Sequence, residues 1–456
     1  MKMIYNVEDK PSFGKLIVFA IQQLLAIMAA TLVVPVIING NAGLTGDDAM
    51  STGAALFGAG VGTLVYLLFT KRKSPVFLGS SFAFIGSMTA AFAGAVGSVA
   101  LGYLGLILGA IFAGLVYVII AILVKFFGVG WLNKLMPPAV IGPTVAIIGL
   151  SLAGNAVGDL QKANAGGNTL IAILCGLVTL VVVVLSSTYG KKMARLIPFI
   201  IGILSGYALA TIFTVIGNVA GIDALKIVDF SPLKALVADG VTLSTFITVP
   251  DFTFLTAFKG FGDLNASYLG TIALAYMPVA FVVFAEHVAD HKNISSIIDR
   301  DLLENPGLSR TLLGDGVGSM AGALFGGCPN TTYGESVACV AITKNASVYT
   351  ILTAAIGAIA ISFLSPFIAF VNSIPACVMG GVCMALYGFI AVSGLKMIQK
   401  VDLGQNRNLF TVSVILIAGI GGLALNFGKI TITAIATALI LGIIVNTILA
   451  REKTEE

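Results

Sequence analysis

"VFLGSSFAFIGSMTAAFA" (residues 76–93) and "GGCPNTTYGESVACVAIT" (residues 326–343) are the stretches that decide the architecture of this chain. Both are weakly hydrophobic and rich in glycine, serine or threonine, yet each lies between long apolar runs. Backbone that leaves the helix finds no hydrogen-bond partner in lipid, so at membrane depth it must line a cavity inside protein. Two such interrupted segments at matching positions in the two halves of a chain point to a binding site near the bilayer midplane.

The rest of the sequence places them in a membrane. Of 456 residues, 58% are hydrophobic and 10% charged, less than half the charged share of about 25% usual in a soluble domain. Apolar runs of about 20 residues, the length that crosses a hydrocarbon core, recur from end to end. They predict an all-α polytopic membrane protein of fourteen transmembrane spans, the first seven near residues 16–38, 51–69, 76–91, 101–124, 138–152, 169–186 and 196–215. The second seven lie near 267–290, 312–325, 331–342, 348–370, 376–392, 409–425 and 432–449.

Loop charges test this map independently. With the N-terminus inside, the cytoplasmic loops carry Lys71, Arg72 and Lys73; Lys125 and Lys134; and Lys191, Lys192 and Arg195. In the second half they carry Lys292, Arg300 and Arg310; Lys344; Lys396, Lys400 and Arg407; and Arg451 and Lys453. The long outward loop instead holds Asp223, Asp229, Asp239, Asp251 and Asp263. This positive-inside asymmetry predicts a multi-pass protein of the cell (cytoplasmic) membrane with both termini cytoplasmic. Seven is odd, so the two halves insert with opposite orientation, as two inverted repeats in which spans three and ten are broken by short extended segments. The divisions are residues 1–216, an extracellular polar linker at 217–262, and residues 263–456.

Several function classes drop out. A net charge of +4 is too small to suggest a nucleic-acid partner and is accounted for by the cytoplasmic loops. Cys175, Cys328, Cys339, Cys377 and Cys383 lie in apolar or glycine-rich segments without metal-ligand spacing, so neither a metal nor a cofactor is expected. The N-terminal "MKMIYNVEDKPSFGK" has no signal-peptide pattern. A membrane enzyme would need a nucleophile–base pair in the spans, and a channel a ring of charge or a filter motif; neither pattern is present. Transport remains.

The residues that carry chemistry stand out against this background. "FAEHVADH" (284–291) follows an apolar run and contains both histidines of the chain. Glu286 and Asp290 are four apart and share one face of a helix, with His287 and His291 beside them. The plainer alternative is that Glu286 merely ends span eight at the interface. An ionisable residue inside a span usually faces a cavity, because its burial in lipid costs about 3 kcal/mol or more. Glu335 sits where a half-helix begins after the break at Pro329, beside Tyr333 and Gly334, and there it serves either as a site residue or as a cap favoured by the helix dipole. Span three contributes Ser80, Ser81 and Phe82 at its own break, where a lone phenylalanine is more often packing.

These residues also carry a family resemblance. "VFLGSSFAFIGS", "FAEHVADH", "NPGLSRTLLGDG", "GGCPNTTYGESVACVAITK", "RLIPFIIGILSGYALA" and "MGGVCMALYGFIAVSG" resemble the uracil-permease branch of the nucleobase–ascorbate transporter family over nearly the whole chain. The resemblance implies a proton-coupled symporter with a core domain (spans one to four and eight to eleven) rocking against a gate domain (five to seven and twelve to fourteen), and it alone implies a homodimer. It assigns Glu286 and Glu335 to the nucleobase, Phe82 and Gly334 to backbone-amide contacts at the two breaks, Ser81 and Tyr333 to the pocket wall, and Tyr387 to the wall on the gate side. Three departures stand out. Asp290 replaces a common histidine, Gln22-Gln23 replaces Gln-His, and Ser336 and Ala338 replace asparagine and glycine. The first bears on proton coupling; the others leave a xanthine or purine carrier as the alternative.

These residue types suit the substrate. Uracil is a neutral planar ring with two N–H donors and two carbonyl acceptors. Carboxylates accept from the N–H groups in charge-assisted bonds, and amides at half-helix ends donate to the carbonyls. In this scheme Glu286 carries the coupled proton and Asp290 tunes it by like-charge repulsion.

Overall fold

The computed structural model describes residues 3–128, 130–163, 166–191, 193–238, 240–427 and 430–450; Lys192, Asp239, Arg451 and Lys453 of the charge pattern lie outside them. Helices form on the apolar runs, and several begin where a polar side chain caps a free amide. Ser51 accepts from Ala54 at the start of α2 (Thr52–Phe69), after α1 (Phe13–Ala42). Strand β1 (Leu78–Ser80) and a short turn lead into the half-helix α3 (Ile85–Gly94). Ser98 caps α4 (Val99–Phe127), followed by α5 (Pro138–Ser151) and α6 (Ala153–Gln161). Asn168 caps α7 (Thr169–Tyr189), and α8 (Pro198–Ala220) completes the first half. Each such cap satisfies an orphan donor of a helix N-terminus.

The second half runs through α9 (Ala266–Ile298), α10 (Leu308–Gly326), β2 (Asn330–Thr332) and the half-helix α11 (Gly334–Thr343). Then come α12 (Val348–Ser362), α13 (Ser365–Asn372), α14 (Ala376–Ile398), α15 (Asn406–Ile420) and α16 (Ala434–Leu449). Among the described residues, eight helices are long and apolar enough to cross a membrane, and five shorter ones are apolar. The fourteen expected spans are therefore matched by eight such helices. The difference lies in the half-helices α3 and α11, in the shorter α12, α15 and α16, and in α10, whose glycines and charges lower its hydropathy. The expected fifth span is α5, with α6 following directly beyond it, and the eleventh is α12 and α13. Helix α9 runs eight residues beyond the expected end at Asp290, to Ile298.

Packing partners recur when the halves are exchanged. Helix α4 packs on α10 as α12 packs on α2; α4 on α9 as α12 on α1; α7 on α8 as α15 on α16; and α7 on α14 as α15 on α5. The self-paired contacts are α2 with α10 and α5 with α14. Strand β1 pairs with β2 antiparallel, with Gly79 opposite Thr331, so the two equivalent segments cross head to tail. Two segments related by an axis lying in the membrane plane meet in this way.

Glycine makes the central contact possible. A Cβ on Gly58 of α2 would lie 2.4 Å from the Gly322 carbonyl oxygen of α10, and one on Gly62 would lie 2.8 Å from that of Gly318. A spacing of four on both helices lets the backbones touch, as in small-xxx-small membrane pairs. Outside the bundle, α7 shows Leu170, Leu174, Leu177, Val181 and Leu185 at helical spacing on an exposed face, which is the surface a lipid-facing helix presents.

The long loop is docked rather than free. Phe252 and Phe254 pack their rings against Phe325 of α10, and Phe252 also meets Phe57 of α2 at 4.8 Å. Gly260 lies against the backbone of Ala100 at the start of α4.

Candidate substrate site at the crossing of two broken spans

The crossing leaves irregular backbone at the centre of the bundle, and side chains satisfy it. Ser81 N–H donates to the Pro329 carbonyl (2.9 Å) and Tyr333 N–H to that of Phe77 (3.2 Å). Thr63 of α2 accepts from Leu78 N–H (2.9 Å), Ser336 accepts from Phe77 N–H (3.0 Å), and the Asn330 amide donates to the Gly58 carbonyl (2.9 Å). The Tyr333 hydroxyl donates to the Ser80 carbonyl at 2.6 Å. Buried backbone without such partners would cost about 1–3 kcal/mol per group.

The half-helices begin beside this crossing, and their first-turn amides have no intrahelical acceptor. A cavity of about 220 Å3 opens there, walled by Ser81, Phe82, Glu286, Asp290, Tyr333, Gly334 and Glu335. Seven of the eight residues singled out in the sequence thus meet in one place, from β1–α3, α9 and β2–α11. The volume is below the ~300 Å3 at which drug-sized pockets begin, and it suits one small ring.

Glu286 and Asp290 stand one turn apart on the same face of α9, and both reach the cavity half-buried. Asp290 accepts from the Thr332 hydroxyl of β2 at 3.0 Å. A Cβ on Gly334 would stand 3.9 Å from Asp290 Oδ1 with nothing else within 4 Å, so the start of α11 faces α9 across open space. Glu335 is the acidic residue in the first turn of α11 and also lines the cavity. The three carboxylates thus sit at one binding-sized space beside the starts of the half-helices, a donor–acceptor arrangement that can grip the edge of a planar heterocycle.

The eighth residue, Tyr387, is not in the wall. It lies on α14, 3% exposed, with its ring edge-on to that of Phe82 at 6.2 Å between centroids. The face it was expected to supply comes instead from Leu386, Phe389, Ile390 and Ser393 of the same helix and from Ile148 of α5. Their spacing of three to four marks one helical stripe, and Ser393 in an apolar helix is the signal that could have found it. Tyr333 is a wall residue of the cavity, while its ring lies against Gly79 and its hydroxyl donates to the Ser80 carbonyl.

His287 and His291 point away from the cavity, both fully buried. His287 meets Asp315 of α10 at 2.7 Å and Thr311 at 3.0 Å, and His291 meets Tyr66 of α2 at 2.7 Å. Asp315, a lone acid in a glycine-rich span, went unremarked in the sequence. Two of the departures from the family pattern turn out to be partners: the Gln23 amide of α1 donates to the Ser336 hydroxyl, and Ser336 holds Phe77 N–H. Both are buried outside the cavity wall, so they brace β1 and do not touch a ligand there.

A second cavity, of about 390 Å3, shares Gly334, Glu335 and Phe389 with the first. It runs to Arg195 and Leu196 between α7 and α8.

A model described as "Permease family" matches residues 14–427. The uracil permease of Bacillus caldolyticus is 38% identical over 98% of this chain and 95% of its own length. That of Bacillus subtilis (strain 168) is 36% identical over 100% and 97%, and that of Escherichia coli (strain K12) 36% identical over 96% and 92%. In fold, the chain is similar to the transmembrane domain of the cyanobacterial bicarbonate transporter BicA (TM-score 0.60, 15% identity, covering 97% of this chain and 100% of that one). It is similar also to murine Slc26a9, an anion transporter in the inward-facing state (TM-score 0.64, 10% identity, covering 97% and 69%). The chain therefore belongs to the Permease family, with the uracil permeases as its relatives: it is an integral membrane transporter, not an enzyme.

Proposed function

We propose that this chain is a proton-coupled symporter that imports uracil across the cytoplasmic membrane by alternating access. The observation that carries the proposal is the meeting of Glu286 and Glu335 in one small cavity with the starts of both half-helices. Full-length similarity to uracil permeases supports uracil as the substrate.

In this mechanism Glu286 and Glu335 accept the ring N–H groups. The amides of Phe82 and Gly334 donate to the carbonyls, and the Phe82 ring covers one face, backed by Tyr387. Glu286 takes a proton on the outer side, and Asp290, one turn away and held by Thr332, favours its retention by like-charge repulsion. The chain crosses the membrane fourteen times in two inverted repeats. Helices α1–α4 and α9–α13 form the core that carries both half-helices, while α5–α8 and α14–α16 form the gate, and both termini are cytoplasmic. Rocking of the core past Phe389 and Ile390 of α14 exposes the site to each side in turn, and the second cavity is then the inward path. The homodimer implied by the resemblance belongs to the same reading.

The test is uptake of labelled uracil into proteoliposomes, with and without an inward proton gradient, with unlabelled xanthine as competitor. Gradient-driven uptake that ignores xanthine is the expected result. The variant Glu286→Gln keeps an acceptor oxygen for the ring N–H but cannot carry the proton, so gradient-driven uptake is expected to vanish. Uptake of xanthine would move the substrate to purines, the alternative that the second and third departures leave open. Uptake indifferent to the gradient would remove the proton role from Glu286.

A further inference from the structure

The acid that the substrate site does not use is Asp315. It lies in the middle of α10, 1% exposed, the one acid of a glycine-rich helix. One of its oxygens, Oδ2, meets His287 Nδ1 at 2.7 Å. The other, Oδ1, has no hydrogen-bond partner in the protein, and neither does the hydroxyl of Tyr117, itself 4% exposed on α4. Both residues belong to the wall of a third cavity, of about 10 Å3, together with Ser319, Asn330 and Thr331. That volume is about one water probe, and a buried water needs two to four polar partners. Thr331 is also in the wall of the substrate cavity, so this β2 residue borders both spaces.

The hydrogen-bond geometry assigns the protons. The Thr311 hydroxyl has one hydrogen and gives it to the Leu308 carbonyl at 3.0 Å. The 3.0 Å contact between that hydroxyl and His287 Nε2 therefore needs its hydrogen from the imidazole. With Nε2 protonated, the contact between Nδ1 and Asp315 holds one further proton, shared by the pair, and the pair is neutral overall whichever atom carries it. Loss of that proton leaves one negative charge, facing the Tyr117 hydroxyl and the small cavity. The second ring is already committed: His291 Nδ1 meets the His287 carbonyl at 2.8 Å and its Nε2 meets Tyr66 at 2.7 Å. The two rings stack at 4.0 Å, so both cannot be cationic together. The other ionisable groups within electrostatic reach of Asp315 are Tyr66, Tyr117, Glu286 and Asp290.

We infer that the His287–Asp315 pair is a proton-holding site distinct from the substrate cavity, with one buried water between Asp315 and Tyr117 linking it to the cavity wall at Thr331. The proton moves without any other bond changing. It leaves the N–H–O contact of the pair for the water, which releases one of its own towards the carboxylates of the substrate cavity, and the return step reverses this. The inference rests on the symport reading above and adds to it a second place where the coupled proton resides.

The test compares two modes of uracil transport in proteoliposomes: counterflow at equal pH on both sides, and accumulation driven by an inward proton gradient. Asp315→Asn is expected to keep counterflow and to lose accumulation above the level seen without a gradient. Tyr117→Phe removes only a hydroxyl and guards against misfolding of the first variant. It is expected to move the pH at which uptake is half-maximal while leaving uracil affinity unchanged. Accumulation that survives in Asp315→Asn, or an unchanged pH profile in Tyr117→Phe, overturns the inference. So does a folded Asp315→Asn that loses counterflow and accumulation equally, since that is a structural role. A wild-type protein indifferent to the gradient overturns the symport reading itself, and that result is distinct from the other three.

Discussion

Replacing Gly79 by alanine should disable the site from behind. The glycine sits in β1 opposite Thr331, and a Cβ there would lie 2.4 Å from Cε2 and Cζ of the Tyr333 ring and 2.9 Å from Thr31 Oγ1. Carbon atoms prefer about 3.5–4.0 Å, so the ring must retreat by about 1 Å. The ring is anchored by its hydroxyl to the Ser80 carbonyl at 2.6 Å, and a retreat breaks that bond. Overpacking costs about 1–3 kcal/mol, and a buried carbonyl without a partner costs about 1–3 more. The sum of about 2–6 kcal/mol should lower the melting temperature by about 4–12 °C, taking the ~2 °C per kcal/mol appropriate to long chains. The same retreat shifts Tyr333 and Gly334 in the cavity wall, so uracil binding weakens with stability. The assay is thermal melting of detergent-solubilised protein by fluorescence-detected size exclusion, with uracil binding on the same samples. Tyr333→Ala makes room for the methyl group, so in that background Gly79→Ala should cost far less, with a coupling of ~1–3 kcal/mol. Strictly additive costs, or a Gly79→Ala protein that melts and binds like the wild type, would refute the steric argument.

Other expectations are simpler to state. Gly58→Ala drives a methyl group to 2.4 Å from the Gly322 carbonyl, which is backbone and cannot yield, so α2 and α10 separate and melting falls sharply. Wild-type melting would refute it. Ser336→Ala strands the Gln23 amide and Phe77 N–H, so stability drops by about 2–6 kcal/mol at about 1–3 per group, while the ranking of competing bases in binding assays stays as it was; a changed ranking would place Ser336 in contact with substrate. Phe82→Ala removes the ring over the cavity and should weaken uracil binding by about 2- to 13-fold, for a stacking contribution of ~0.5–1.5 kcal/mol. Tyr387→Phe, which keeps the ring against Phe82, should bind as the wild type does.

The acidic face of α9 shows why part of the site was legible. Glu286 and Asp290 share a face because of the helix period alone, and that period is a property of the local chain. The same rule could not say which way His287 and His291 point, because their partners Asp315, Thr311 and Tyr66 come from α10 and α2, and nothing local pairs them. Asp315 looked like one more polar residue in a glycine-rich span until its neighbours appeared around it. Tyr387 was expected in the wall, yet which side of α14 faces the cavity depends on how that helix lies against α5, and the stripe through Leu386, Phe389 and Ser393 won. Gln23 and Ser336 were read as departures that tune the base. Their 313-residue separation conceals that they form one bond.

By itself the sequence determined that this chain lives in a membrane, which two of its segments break into extended backbone, and to which family it belongs. Those properties follow from hydropathy, local period and motif, all short-range. The tertiary structure decided that the broken spans pair as antiparallel strands and that Glu286 and Glu335 share one cavity. It also placed a buried acid and a histidine, 28 residues apart, in contact at 2.7 Å. Those facts depend on glycine-mediated contact between helices from opposite halves of the chain, a long-range geometry that no local pattern encodes.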